Sequence, residues 1–101
     1  MRKLLSITKS KSKAKKYDAV FQLDEEGKKK TVGFGQAGAD DYTIKKDKDQ
    51  RARYRKRHAK DLLTETNKKG LGAGSLSYWL LWGNSTSLKQ NIVDYKKRFK
   101  L

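Results

Sequence analysis

Hydrophobic and polar side chains alternate most regularly from Tyr17 to Leu23, with Tyr17, Ala19, Phe21 and Leu23 on one side and Asp18 and Gln22 on the other. A period of two is that of a half-buried strand. Asp24-Glu25-Glu26-Gly27 then reads as a turn in which Gly27 is free to take positive φ. Lys28 to Gly35 follows as a second strand, with Val32 and Phe34 on a shared face. The pair predicts a β-hairpin with a charged tip.

Beyond the hairpin the period lengthens. Asp47 to Leu63 predicts a helix capped by Asp47 or Asp49, with Tyr54, His58, Asp61 and Leu62 along a docking stripe and Ala52, Ala59 and Leu63 beside it. Thr64 to Gly74 reads as a flexible connection, because Gly70, Gly72 and Gly74 weaken any regular element. Leu76 to Trp82 is the one place where large apolar side chains crowd together. It predicts a short central helix begun by Ser75 or Ser77 and stopped by Gly83. Ser87 and Gln90 are spaced as a capping box for a terminal helix whose Leu88, Ile92, Tyr95 and Phe99 recur at helical intervals. Tyr54, Trp79, Trp82, Tyr95 and Phe99 are the aromatic residues expected in the core.

Met1 to Lys16 has seven basic residues, no acidic one and a thin apolar face of Leu4, Leu5 and Ile7. Its self-repulsion predicts a flexible arm that orders on an anionic surface, although the composition also suits a targeting peptide. The expected architecture is therefore α+β: a basic flexible arm (1–16), then a single small domain (17–101) in which an N-terminal β-hairpin packs on about three helices.

Charge changes the picture more than any motif. Lys and Arg number 26 against 11 Asp and Glu, a formal net charge of +15 in 101 residues. A field of that sign steers a protein to polyanions: nucleic acid, an anionic membrane face or an acidic protein surface. The expected polyanion contacts are Lys9, Lys11, Lys13, Lys15 and Lys16 of the arm, Arg51, Arg53, Arg55, Lys56, Arg57 and Lys60 of the long helix, and Lys96, Lys97 and Arg98 near the end. Guanidinium groups suit this because they donate bidentate hydrogen bonds to oxyanions.

Chemistry-bearing patterns are sparse. The chain has no cysteine and one histidine, which leaves little for a zinc site. Gly33-x-Gly35-x-x-Gly38 follows a strand as a dinucleotide fingerprint does, but Asp40 and Asp41 stand where a phosphate would come, so the glycines are read as a bend leaving the strand. The Asp40/Asp41 pair is read as capping a turn or pairing with nearby cations. A metal nuclease built on Asp40, Asp41 and His58 would require these to converge in space. No catalytic residue, metal, cofactor or small-molecule substrate is expected.

Val32-Gly33-Phe34-Gly35 with Asp41-Tyr42-Thr43, Arg53-Tyr54-Arg55-Lys56-Arg57-His58, Leu76-Ser77-Tyr78 leading to Leu81-Trp82-Gly83, and Tyr95-Lys96-Lys97-Arg98-Phe99 together resemble a family of small, basic, largely uncharacterised proteins of large nucleocytoplasmic DNA viruses, including those of algae and amoebae. Members of that family often carry a His after the Asp-Tyr-Thr-x segment, where this chain has Lys45. The resemblance implies a viral origin and a place in the particle, and brings no catalytic residues.

Two functions are expected on these grounds. The first is a non-enzymatic virion structural protein, a minor capsid or inner-shell component that binds acidic faces of capsid proteins, with peripheral contact to an anionic membrane. The alternative is a sequence-nonspecific nucleic-acid-binding protein that accompanies or compacts the genome. The corresponding locations are the virion, or otherwise the host cytoplasm or nucleus.

Overall fold

Alternation along the first half builds one antiparallel sheet in the order β1-β2-β3, formed by β1 (Lys3–Lys9), β2 (Lys15–Gln22) and β3 (Lys29–Gln36). A computed structural model describes residues 2–101. The pairs Leu4 with Phe21, Ala19 with Val32 and Tyr17 with Phe34 bring the apolar residues of all three strands to one face. On it Leu4, Ala19, Phe21 and Phe34 are buried. The β2–β3 turn is as the sequence predicts: Gly27 has φ +89°, and the Asp24 carboxylate accepts from the Lys28 amide at 3.0 Å.

The segment expected to be a flexible arm instead supplies the first strand. Leu4 is buried and Ile7 packs against the core, so the thin apolar face suffices for an edge strand, and the ladder skips Leu5 through a register shift between Leu4 and Ser6. Lysines along β1 are compatible with this, because an outer strand exposes much of its surface and like charge discourages pairing with other chains.

Five short helices follow: α1 (Tyr42–Lys45), α2 (Lys48–His58), α3 (Glu65–Lys68), α4 (Ala73–Leu76) and α5 (Leu88–Phe99). The architecture is α+β, an N-terminal meander packed against helices. Asp41 caps α1 by accepting from the Thr43 amide at 2.8 Å, and Asp47 caps α2 by accepting from Asp49 and Gln50. A 3-10 turn (Ala59–Leu63) extends α2.

The tryptophan segment lies at the centre. From α4 the chain runs directly into a π-helical turn (Ser77–Leu81), closed by the Trp82 amide donating to the Ser77 carbonyl at 3.2 Å. Leu76, Leu80, Leu81 and Trp82 are buried there. Each contributes about 2 kcal/mol of apolar burial. Gly83 follows where a side chain would collide with the Trp79 carbonyl oxygen, so the chain leaves the helix at once.

Asn91, on the buried stripe of α5, ties this turn down. Its amide nitrogen donates to the carbonyls of Leu80 (2.9 Å) and Ser85 (2.8 Å), and its oxygen accepts from the Ser85 amide (3.1 Å). Ser87 caps α5 as expected, accepting from the Gln90 amide at 3.2 Å. Tyr95 is buried on the same stripe and bonds Ser75 at 3.0 Å and the Gly70 carbonyl.

The connection from Thr64 to Gly74, expected to be flexible, is closely packed. Gly70 has φ +77°, and a Cβ there would lie 2.5 Å from the Phe99 ring, while Gly72 and Gly74 make room for Asn67. Asn67 in turn accepts from the Ser75 amide at 2.9 Å. These glycines serve close approach rather than mobility.

Candidate polyanion-docking surface

α2 buries no residue and carries six basic side chains, Lys48, Arg51, Arg53, Arg55, Lys56 and Arg57, along its length. Its two sides follow helical spacing. Arg51, Tyr54, Arg55 and His58 recur at i, i+3, i+4 and i+7 and are half-buried, whereas Arg53, Lys56, Arg57 and Lys60 recur at the same spacing and are exposed. The docking stripe thus differs from the expected one: Ala52, Ala59 and Leu63 lie exposed, and two arginines take the inner positions.

Those arginines are anchors. Arg51 Nε donates to the Gly83 carbonyl at 2.7 Å and its Nη2 to Asn84 Oδ1 at 2.8 Å, with the guanidinium 5.5 Å from the Tyr42 ring centroid. Burial, and after it the neighbouring Arg55, pull the Arg51 pKa below its ordinary value. Arg55 Nη1 donates to the Trp82 carbonyl at 2.9 Å, and its guanidinium lies 4.3 Å from the Tyr78 centroid and 4.9 Å from that of Trp79. Carbonyls left open at the end of the π turn are thereby satisfied by side chains of another helix. Aromatic stacking completes the joint: Tyr54 lies 4.4 Å from Trp82 on one side and 4.2 Å from His58 on the other.

The aromatic residues expected in the core divide accordingly. Trp82 and Tyr95 are buried; Tyr54, Trp79 and Phe99 pack on the core margin. Trp79 is approached by two cations, the Arg98 guanidinium 3.8 Å and that of Arg55 4.9 Å from its centroid. Burial raises the Tyr54 pKa, with a further push from Asp61.

Of the cations expected to meet a polyanion, Lys16, Arg51, Arg55 and Arg98 are engaged within the fold. Lys16 Nζ bonds Asp41 Oδ2 at 2.6 Å, both side chains largely shielded. Lys9, Lys11, Lys13 and Lys15 lie on β1, β2 and the turn joining them, and Arg53, Lys56, Arg57 and Lys60 on the outer side of α2 and its extension; all are exposed, as are Lys96 and Lys97 on α5. Among the described residues none of these ten has a carboxylate within 4.0 Å.

A groove of about 780 Å³ between the sheet and α2 is lined by Lys15, Asp40, Asp41, Arg57, His58 and Asp61, among others. It brings together the residues a metal nuclease would need, but their bonds are local. Asp41 serves Lys16, Thr43 and the α1 cap, and His58 Nδ1 bonds Asp61 at 2.8 Å. Among the described residues no group of three or more His, Asp or Glu is placed to hold a metal ion. Likewise no helix among them is long and apolar enough to cross a membrane.

The inner role of Arg51 and Arg55 was hidden from sequence reasoning. The only available signal was their i, i+4 relation with Tyr54 between them, which places them on the side of the aromatic residue rather than opposite it.

Residues 5–58, from the third residue of β1 to the end of α2, match the model of a family of unknown function (DUF5754). No curated protein and no solved structure shows significant similarity to the chain.

Proposed function

We propose that this chain, which belongs to that family of unknown function, is a non-enzymatic structural component of a virus particle that docks electrostatically on acidic faces of capsid proteins. One observation carries the docking: Arg51 and Arg55 fasten α2 to the Trp82–Asn84 segment, so the outward Arg53, Lys56, Arg57 and Lys60 are held on a fixed element without carboxylate partners. Ordering cations before contact lowers the entropy cost of binding, and complementary charge favours encounter and orientation. The place in a particle, as a minor capsid or inner-shell protein, rests on the sequence resemblance to proteins of large DNA viruses.

The second reading, nonspecific association with the genome, is favoured by the guanidinium groups at Arg53 and Arg57, one turn apart on the exposed side of α2 and suited to phosphate oxygens. Fractionation of purified particles separates the two. A capsid component stays with the shell after nuclease digestion and is released by salt; a genome-bound protein leaves with the nucleic acid. Absence from particles would reject the structural role.

A further inference from the structure

The turn between β1 and β2 is braced to a degree that a solubilising lysine run does not require. The Ser10 amide donates to the Lys16 carbonyl at 3.0 Å, Lys15 to the Ser12 carbonyl at 3.4 Å, and Ala37 to the Ala14 carbonyl at 3.0 Å, which ties the turn to the end of β3. Ser12 bonds the Ser10 hydroxyl at 3.0 Å through its amide, and its own hydroxyl accepts from the Ala14 amide at 3.3 Å. Asp18, the nearby acid on β2, spends both oxygens on the same turn: Oδ1 accepts from Ser10 Oγ at 2.7 Å and Oδ2 from the Lys11 amide at 3.3 Å.

This braced turn borders an open concavity of about 520 Å³ whose lining includes Lys9, Lys11, Lys13, Lys15, Ser12 and Gly38, and no carboxylate. These four lysines line one space, while Asp18, the nearby carboxylate, is turned to the Ser10 hydroxyl and the Lys11 amide, so the balance of charge there is positive and favours an anion. The volume falls within the range of small-ligand sites, about 300 to 1,000 Å³. Ammonium groups on flexible stems surround a phosphate's oxygens from several directions, where a single carboxylate would meet one of them.

We infer that the β1–β2 turn is a binding cradle for a compact ligand bearing clustered phosphate groups. It is carried by a different element from α2 and does not depend on the docking proposed for that helix.

The test is calorimetric titration of the full chain with inorganic tripolyphosphate, alongside sedimentation with vesicles containing a bisphosphorylated inositol lipid. Two variants of equal charge are compared: Lys9→Gln/Lys11→Gln/Lys13→Gln/Lys15→Gln in the cradle, and Lys28→Gln/Lys29→Gln/Lys48→Gln/Lys69→Gln at exposed lysines elsewhere. Circular dichroism verifies that both retain the fold. The cradle variant is expected to bind about tenfold more weakly or worse, and the other to stay within about twofold of the parent. Tripolyphosphate binding with this contrast assigns a free oligophosphate, and the same contrast on vesicles alone assigns a lipid headgroup. Equal loss in both variants, or no binding of either probe, overturns the cradle.

Discussion

Lys16 Nζ lies 2.6 Å from Asp41 Oδ2, with the carboxylate side chain 2% exposed and the lysine 13%. The pair fastens β2 to the start of α1, where the same carboxylate caps the helix and also accepts from the Thr43 hydroxyl. Removing it with Asp41→Ala leaves a shielded ammonium unpaired and a helix start uncapped, a loss of about 3 kcal/mol. Urea denaturation is the measurement. A change below 1 kcal/mol would mean that the pair behaves as an ordinary surface ion pair.

The division of α2 into inner and outer cations predicts two separable phenotypes. Arg51→Ala deprives Gly83 and Asn84 of their donors and lowers stability by about 1 to 2 kcal/mol. Replacing Arg53, Lys56, Arg57 and Lys60 together by Gln leaves the denaturation midpoint nearly unchanged, while weakening polyanion binding and flattening its dependence on salt. Parallel denaturation and binding curves at several salt concentrations would show whether the two effects come apart in this way.

Asn91 offers a sharper case. Asn91→Ala strands the Leu80 and Ser85 carbonyls and the Ser85 amide, and is expected to cost about 2 to 4 kcal/mol. Asn91→Asp is as harmful, since a carboxylate cannot donate to either carbonyl. Thermal melts of the two variants should therefore fall together.

Glycines with positive φ should differ according to their neighbours. At Gly27, with open space around a Cβ position, Ala costs about 1 kcal/mol of backbone strain alone. At Gly70 the same substitution adds a collision with the Phe99 ring, so Gly70→Ala is the more destabilising by about 2 kcal/mol. Equal denaturation midpoints for the two variants would contradict the close approach of α5 to this turn.

Alkaline pH supplies an independent check on the buried phenols. Burial raises the pKa of both Tyr95 and Tyr54 above the ordinary tyrosine value. Above pH about 10 the unfolded chain releases protons that the folded chain retains, so their contribution is fully present below that pH and falls as it rises, by up to about 1.4 kcal/mol per pH unit for each tyrosine. Tyr95→Phe loses the bonds to Ser75 and Gly70 and starts less stable, but its profile is flatter. The gap between variant and parent should close as the solution is made more alkaline; profiles that stay parallel would count against a shielded Tyr95 hydroxyl.

Local patterns in the sequence foretold the elements whose causes are local. The Tyr17–Leu23 alternation, the Gly27 turn, and the caps at Asp47 and Ser87 each depend on residues within a few positions, and each is present. Long-range causes were illegible. β1 reads as an arm because seven cations dominate its neighbourhood, while its order comes from Leu4 meeting Phe21 across the sheet. Gly70 to Gly74 reads as a linker because nothing nearby reveals Phe99 and Asn67 pressing on it. Composition likewise counts Arg51 and Arg55 with the docking surface, although the carbonyls that hold them belong to residues some thirty positions away.

A three-stranded meander has two outer strands, and here both carry ammonium groups: Lys3 and Lys9 at the ends of β1, and Lys29 and Lys30 at the start of β3. β1 is further covered where the Leu4 amide donates to the Leu101 carbonyl at 3.4 Å. Two copies approaching rim to rim meet the same sign of charge, so the sheet resists growing by addition of another molecule's strand. That safeguard is electrostatic and therefore weakens with ionic strength, which makes dispersion of the protein in solution a property of its medium as well as of its fold.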